Sequence, residues 1–183
     1  MTQPRWRHLY IAGFMGTGKT TVGQTLSHRR GRQFWDLDRQ IVELVGCDIP
    51  AFFQSQGESV FRAHESKALR LLAAAPPAVI ALGGGTPTVA ANVNVVKQTG
   101  LTVLLTADTK TIWNRIRAMT DRPLLLDGTK PISDYDQFAR HAESILLSRD
   151  CAYRAIADYT VDTSDQPVDA VATRIIQWIE SLA

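Results

Sequence analysis

The sequence predicts an α/β fold in three layers, with a central five-stranded parallel sheet between two layers of helices. Short apolar runs alternate with longer segments whose apolar residues have helical spacing, and this alternation is typical of a parallel sheet covered on both faces. Of the 183 residues, 45% are apolar and 21% are charged, a balance typical of a globular protein. We therefore expect a single domain over residues 1–183.

The five predicted strands are the short apolar runs. Residues 78–82 form a continuous apolar run, and residues 101–105 are apolar except for Thr102, as expected for strands buried on both faces. The other three lie at residues 8–12, 33–36 and 158–163. Because parallel strands end at the same edge of a sheet, we expect the residues that follow them to share a site there.

The predicted helices have apolar residues at helical spacing and are bounded by glycine, proline or capping residues. They lie at residues 19–30, 39–45, 49–56, 58–74, 88–98, 109–119, 135–157 and 167–182. Residues 120–131 contain two prolines and a glycine and are predicted to form a loop. Loops of this length in a compact domain are usually lids or binding loops, so we expect a mobile lid at about 119–131.

The segment at residues 13–21, GFMGTGKTT, fits the pattern G-x-x-x-x-G-K-[ST]. Between a strand and a helix, such a loop exposes consecutive backbone N–H groups in a concave nest that holds a polyphosphate. Lys19 would reach the β- and γ-phosphates, and the Thr20 hydroxyl would be a ligand to Mg²⁺. The alternative is a glycine-rich turn, which the strand–loop–helix context disfavours. The residues predicted to bind nucleotide here are Gly13, Gly16, Thr17, Gly18, Lys19, Thr20 and Thr21.

Two acidic residues and three glycines follow other strands. Asp36 and Asp38 come at the end of the second strand, where alternation would place both carboxylates on one side of an extended segment. One would lie near the metal and the other at a substrate hydroxyl, although Asp38 could be only a helix N-cap. Gly83, Gly84 and Gly85 follow the third strand, where glycines allow a ligand to touch the backbone, and a plain turn is the alternative.

Charge and cysteine content exclude several classes of protein. The net charge of +2 gives no reason to expect a nucleic acid or membrane partner. Cys47 and Cys151 lie far apart and form no metal or redox motif, so we expect two reduced thiols. No apolar run reaches membrane length, and the N-terminus lacks the apolar region of a signal peptide. We expect a cytoplasmic monomer.

The order of these motifs resembles the shikimate kinase family, small P-loop kinases of the nucleoside-monophosphate-kinase type. The resemblance covers about residues 9–163 and includes motifs more specific than the phosphate loop. These are Asp36-Leu37-Asp38, Gly57-Glu58 with Phe61-Arg62 and Glu65, Gly83-Gly84-Gly85, Arg122-Pro123-Leu124-Leu125, Arg149 with Tyr153, and Val161-Asp162-Thr163.

The resemblance implies ATP-dependent phosphorylation of the 3-hydroxyl of shikimate, a step towards chorismate and the aromatic amino acids, with ATP and Mg²⁺ required. It implies that Asp36 reaches Mg²⁺ through water. Asp38 would bind shikimate hydroxyls and take the proton from the attacking one, and Arg122 in the lid would close over the phosphates. Lys19, Asp38 and Arg122 are therefore the expected catalytic residues.

The resemblance also assigns binding residues for the acceptor and for adenine. Arg62 and Arg149 would clamp the shikimate carboxylate, because the planar guanidinium fork matches a carboxylate bidentately. Asp38 and the backbone of Gly83, Gly84 and Gly85 would complete this site, in an acceptor-binding region that includes residues 38–74. Arg62 could instead only pair with Glu65, three residues on.

The resemblance implies that the stretch after Val161, with Thr163, lies beside adenine, and that an adenine-stacking arginine falls near Arg115 or Arg117. The residues themselves do not decide between the two arginines. Two alternatives to the shikimate assignment remain. A kinase of the same fold could act on gluconate or aminoshikimate, or the chain could be a non-catalytic protein that kept the fold.

Overall fold

The computed structural model describes residues 6–117, 126–127, 130–132 and 134–182. Its strands are β1 (His8–Gly13), β2 (Gln33–Asp36), β3 (Ala78–Ala81), β4 (Gly100–Thr106), β5 (Leu126–Asp127), β6 (Lys130–Pro131) and β7 (Tyr159–Asp162). Five of them form one parallel sheet in the order β2-β3-β1-β4-β7, so the predicted sheet is confirmed. The short antiparallel pair of β5 and β6 lies within the segment predicted as a loop.

The described part of the chain contains eight α-helices. They are α1 (Lys19–Arg30), α2 (Leu37–Val45), α3 (Ile49–Gln56), α4 (Glu58–Ala74), α5 (Ala90–Thr99), α6 (Thr109–Arg117), α7 (Tyr135–Ile156) and α8 (Val168–Glu180). A 3₁₀ turn at Thr86–Thr88 precedes α5, so the helix predicted from residue 88 begins two residues later. Among the described residues, no helix has the length and apolar character needed to cross a membrane.

The sheet carries one apolar core on each face. Along β1, Leu9 and Ile11 face one core, and Tyr10 and Ala12 face the other, as strand alternation requires. Helices α1 and α8 cover the first face, whereas α2, α3, α4, α5 and α7 contribute to the second. Burying one Leu or Ile side chain stabilises the fold by about 1.5–3 kcal/mol, so the two cores hold the three layers together.

This topology places the predicted site residues at one edge of the sheet. The phosphate loop follows β1, Asp36 is the last residue of β2, and the triple glycine begins two residues after β3. Thr163 directly follows β7, which is parallel to the other strands. Motifs separated by up to 146 residues are joined in space, since the Thr163 hydroxyl donates to the Thr17 carbonyl oxygen over 3.0 Å.

Candidate active site

The phosphate loop has the backbone geometry of an anion nest. Gly13 has a φ of 147°, and a Cβ there would meet the backbone carbonyl of Leu105 on the neighbouring strand. Gly18, with a φ of 94°, precedes α1 and supplies no side-chain cap, and the first turn of α1 contains no acidic residue. The N–H groups at this helix end therefore keep their partial positive charge for a bound anion.

A cavity of about 920 Å³, here called the phosphate cavity, opens over this loop. Its lining includes ten of the predicted site residues, namely Gly16, Thr17, Gly18, Lys19, Thr20, Thr21, Asp36, Asp38, Arg115 and Thr163. Gly13 ends β1 and is not among the lining residues. Lys19 Nζ donates to the carbonyl oxygen of Phe14 over 3.1 Å, so the amine lies against the loop that is predicted to bind phosphate.

Thr20 and Asp36 are in direct contact, since the Thr20 hydroxyl donates to Asp36 Oδ2 over 2.8 Å. The other oxygen of Asp36 accepts the backbone N–H of Arg39 over 3.3 Å, which makes Asp36 the N-cap of α2. Asp38 lies in the first turn of that helix, so the two aspartates do not share an extended segment, and the cap considered for Asp38 falls to Asp36. A hydroxyl beside a carboxylate, open to a phosphate cavity, suits the hard oxygen coordination of Mg²⁺.

Three of the predicted site side chains contact the triple glycine, each over a different glycine. A Cβ at Gly83 would lie 2.5 Å from Asp38 Oδ1, and one at Gly84 would lie 3.5 Å from Arg149 Nη1. A Cβ at Gly85 would lie 2.6 Å from Arg62 Cζ.

The sequence therefore brings Asp38, Arg62 and Arg149 to one short segment. Asp38 belongs to both sides of the site, because it also lines the phosphate cavity. The absent side chains at Gly83 and Gly85 leave the space that Asp38 and Arg62 occupy.

Arg62 is held by two carboxylates. Its Nη1 donates to both oxygens of Glu65, over 3.0 and 3.2 Å, and its Nε and Nη2 donate to Glu58 over 3.2 and 2.9 Å. Desolvation by burial alone would lower the pKa of Arg62, but the two carboxylates outweigh it and raise the pKa. The guanidinium is therefore charged and fixed on α4, and the i,i+3 pair considered from the sequence is present.

Arg149 and Tyr153 lie one turn apart on α7 and donate hydrogen bonds to the same carbonyl oxygen. Arg149 Nη1 donates to the Gly84 carbonyl oxygen over 3.2 Å, and the Tyr153 hydroxyl donates to that oxygen over 2.7 Å. Burial raises the pKa of Tyr153, with a smaller opposing effect from the Arg149 charge, so its phenol stays protonated and keeps donating. Tyr153 thereby ties α7 to the triple glycine, a contact that the i,i+4 spacing from Arg149 alone does not predict.

Arg115 and Arg117 have different surroundings. Arg115 Nη1 donates to the Gly16 carbonyl oxygen over 3.2 Å and to the Thr163 hydroxyl over 3.0 Å, and its Nη2 donates to the Thr163 carbonyl oxygen over 2.6 Å. Arg115 lines the phosphate cavity, whereas Arg117 is exposed and is not among the lining residues. Of the two arginines, Arg115 is therefore the one that lies at the cavity over the phosphate loop.

Some features of the site lie outside the sequence predictions or outside the described residues. Arg122 and most of the lid predicted at residues 119–131 belong to the part of the chain that the structure does not describe. Thr86, directly after the triple glycine, is fully buried and donates its hydroxyl to Glu65 Oε1 over 2.8 Å. No spacing rule links two residues 21 positions apart, so no pattern in the sequence indicates this contact.

The chain has the features of a P-loop kinase, namely a five-stranded parallel sheet and an anion nest before α1. Asp38 connects the cavity over this nest to the triple glycine, where Arg62 and Arg149 lie. The family model for shikimate kinase matches residues 15–180. The chain belongs to the shikimate kinase family, and it is a kinase that uses ATP.

Relatives and solved structures agree with this placement. The chain is 39% identical to the shikimate kinase of Salinibacter ruber, over 96% of this chain and 85% of that protein. It is 36% identical to the shikimate kinase of Nitrosococcus oceani, over 94% of this chain and 86% of the relative. Its fold is similar to that of shikimate kinase from Acinetobacter baumannii in complex with shikimate, with a TM-score of 0.84, 35% identity, and coverage of 97% of this chain and 94% of that one.

Proposed function

We propose that this chain transfers the γ-phosphoryl group of ATP to the 3-hydroxyl of shikimate. The observation that carries the proposal is the meeting of Asp38, Arg62 and Arg149 at three consecutive glycines beside the phosphate loop. One carboxylate and two guanidinium groups match an acceptor that offers hydroxyls at one end and a carboxylate at the other. Membership of the shikimate kinase family supports the choice of this acid.

On the donor side, the N–H groups before α1 and the Lys19 amine would hold the β- and γ-phosphates. Thr20 and Asp36 would hold Mg²⁺, Asp36 through water, and the ion would supply charge neutralisation at the phosphates. Arg115 would lie along adenine, with Thr163 beside the base, because both are fixed to each other at the cavity wall. Arg117 stays on the exposed side of α6.

On the acceptor side, Arg62 and Arg149 would orient the carboxylate so that the 3-hydroxyl points at the γ-phosphorus. As the hydroxyl oxygen forms its bond to phosphorus, its proton passes to the Asp38 carboxylate and ADP leaves with the bond electrons. The backbone of Gly83, Gly84 and Gly85 would contact the bound acid. This chemistry requires positioning and charge neutralisation, and it involves no covalent enzyme intermediate.

The wider organisation follows from the same assignment. Residues 1–183 would form one kinase domain, in which a helical region at about 38–74 binds the acceptor and a lid at about 119–131 carries the catalytic Arg122. Closure of the lid would exclude water and limit ATP hydrolysis. We also propose that the enzyme is a cytoplasmic monomer. Sedimentation at micromolar concentration should give a mass of about 20.2 kDa, and twice that mass would contradict the monomer.

A panel of acceptors tests the proposal. ADP formation is measured with Mg-ATP and, separately, shikimate, aminoshikimate, gluconate or no acceptor. We expect shikimate to give the highest kcat/KM and the reaction without an acceptor to be slow. Turnover of gluconate without turnover of shikimate would refute the assignment, and shikimate binding without ADP formation would favour a non-catalytic protein.

A further inference from the structure

Glu65 is a carboxylate buried at the back of the acceptor site. Its side chain is 1% exposed, and it accepts hydrogen bonds from Arg62 Nη1 and from the Thr86 hydroxyl. A buried charge is stable only if it is paired and its oxygens are hydrogen-bonded. Glu65 meets this requirement with one charged donor and one neutral donor.

Glu65 also lies close to a second negative charge. The position that a Cβ would take at Gly83 is 2.8 Å from Glu65 Oε1 and 2.5 Å from Asp38 Oδ1, so the two carboxylates face the same point. Like charges at short range repel, and this repulsion favours rotation of one carboxylate away from the other. The Thr86 hydroxyl binds the same Glu65 oxygen that faces Asp38 and so opposes that rotation.

Thr86 is itself held in place. The residue is fully buried, its N–H donates to the Gly83 carbonyl oxygen over 3.1 Å, and its own carbonyl oxygen accepts from Asn92 Nδ2 over 3.2 Å. Asn92 is also buried and belongs to α5. The hydroxyl is therefore fixed before substrate binds, and the order of contacts runs from α5 through Thr86 and Glu65 to Arg62.

We propose that Thr86 is a positioning residue for acceptor recognition, which sets the orientation of Arg62 through Glu65. The Arg62 guanidinium must present a fixed plane to form two parallel hydrogen bonds with a carboxylate. Without the Thr86 hydroxyl, Glu65 would turn more freely, and Arg62 would turn with it. This role rests on the proposed function, in which Arg62 binds the shikimate carboxylate.

The test compares Thr86→Val, which removes the hydroxyl and keeps the shape, with Thr86→Ser, which keeps the hydroxyl. Steady-state kinetics give KM for shikimate, KM for ATP and kcat separately. We expect Thr86→Val to raise KM for shikimate about threefold to tenfold, because one donor to a charged acceptor is lost while Arg62 remains. We expect KM for ATP and kcat to change less than about twofold, and Thr86→Ser to restore the shikimate KM.

Thr99→Val is the matched control. The Thr99 hydroxyl lies within hydrogen-bond distance of the Tyr10 hydroxyl and donates to the Val95 carbonyl oxygen, at the other end of α5 from Thr86. The variant removes a partly buried hydroxyl whose hydrogen-bond partners, Tyr10 and Val95, lie outside the proposed site, so the shikimate KM should not change. Arg62→Lys is the positive control, because lysine cannot form the bidentate pair.

A double variant tests whether Thr86 acts through Glu65. In a Glu65→Gln background, Thr86→Val should add less than a twofold change in the shikimate KM, because the charged acceptor of its hydrogen bond is gone. If Thr86→Val does not fold, Thr86→Ala takes its place with the same expected result. An unchanged shikimate KM, or an equal rise in the KM for ATP, would overturn the role.

The two proposals can fail separately. If the parent protein forms no ADP with shikimate, the proposed function fails and the role of Thr86 fails with it. If the parent turns over shikimate and Thr86→Val has the same KM as the parent, only the role of Thr86 is overturned.

Discussion

At the scale of single residues, Asp38 is the side chain that joins the two halves of the site. It lines the phosphate cavity and lies over Gly83, the first of the three glycines in the proposed acceptor site. The neighbouring Asp36 has a different environment, because it is bound by the Thr20 hydroxyl and caps α2. The same residue type two positions apart therefore has two different environments, which fit the two roles proposed for it, Asp36 at Mg²⁺ and Asp38 at the phosphoryl acceptor.

Asp38→Asn tests the proton-acceptor role. The amide keeps the size of the side chain but cannot accept the proton at useful strength, so we expect kcat to fall about 10²- to 10⁴-fold. Stopped-time assays of ADP measure kcat, and calorimetric titration measures ATP affinity, which should change less than about twofold. The control is Asp150→Asn, which removes an exposed carboxylate paired with Arg154. Equal losses of kcat and ATP affinity would argue against the role.

The variant Gly85→Ala tests whether Arg62 needs the space that the glycine leaves open. Its φ of −98° is open to any residue, so an added methyl group acts only through contact with the guanidinium. We expect Gly85→Ala to displace Arg62 and so raise the shikimate KM roughly tenfold.

Gly84→Ala is the matched comparison for Gly85→Ala, because its Cβ would be 3.5 Å from Arg149 Nη1, an ordinary contact. It should cause a smaller rise in the shikimate KM, and kinetics on both variants measure the difference. A larger effect at Gly84 than at Gly85 would contradict this account of the acceptor site.

Sequence patterns predicted the residue types of the site better than their contacts. The i,i+3 spacing indicated that Arg62 could pair with Glu65, and the pair is present. The third partner, Thr86, comes from another segment, and only the packing of α4 against the 3₁₀ turn brings it close. The sequence could not show which of Asp36 and Asp38 caps α2, because both are good N-cap residues and predicted helix starts vary by one or two positions.

At the scale of elements, most helix ends could be predicted because the sequence marks them chemically. Gly31, Gly46 and Gly57 follow α1, α2 and α3, and each has a positive φ of 59–82° that favours glycine. The start of α5 lacked such a mark. Pro87 suits either a 3₁₀ turn or the first turn of a helix, so the sequence did not separate the two.

The packing of α1 on β2 gives an element-scale prediction. Alanine in place of glycine inside a helix normally stabilises it by about 1 kcal/mol. At Gly23, however, a Cβ would lie 2.5 Å from Phe34 Cε2, so overpacking should reverse the sign and cost about 1–3 kcal/mol. Urea unfolding of Gly23→Ala measures the free energy.

Phe34→Leu supplies the control, because the smaller side chain should make room for the methyl group. The double variant should therefore recover part of the stability that Gly23→Ala loses. A Gly23→Ala variant more stable than the parent would contradict the close packing of α1 on β2.

At the scale of the whole molecule, the end of the sheet opposite the site contains a buried histidine. His8 Nε2 donates to the Ala73 carbonyl oxygen over 3.1 Å. Burial lowers the pKa of His8 from 6.5, the hydrogen bond to Ala73 opposes this, and the charges of Arg7 and Arg32 lower the pKa further. The folded protein therefore disfavours the charged imidazole.

The lowered pKa of His8 makes the folded protein less stable at acidic pH. Between the folded pKa of His8 and 6.5, the unfolded chain binds more protons, so stability falls as the pH drops below 6.5. In His8→Gln this contribution is absent, and the free energy of unfolding should fall less between pH 7.5 and 5.5 than in the parent. Urea titrations at both pH values measure it, and equal falls in the two proteins would show that His8 contributes nothing.

The described residues of the predicted site lie at one edge of the sheet, where the proposed function places both substrates. The proposed donor side is formed by the backbone of the phosphate loop, and the proposed acceptor side by side chains on α2, α4 and α7. The first could be predicted from a local motif, because nine consecutive residues contain it. The second could be predicted only through the family resemblance, because its residues come from distant parts of the chain.

The measurement that tests the central claim most directly is ³¹P and ¹H NMR of the product formed from Mg-ATP and shikimate. We predict one new phosphomonoester, formed in a one-to-one ratio with ADP, whose phosphorus is coupled to the proton on C3 of shikimate. Phosphate on another hydroxyl, or ADP accompanied only by inorganic phosphate, would contradict the claim that this site positions the 3-hydroxyl for transfer.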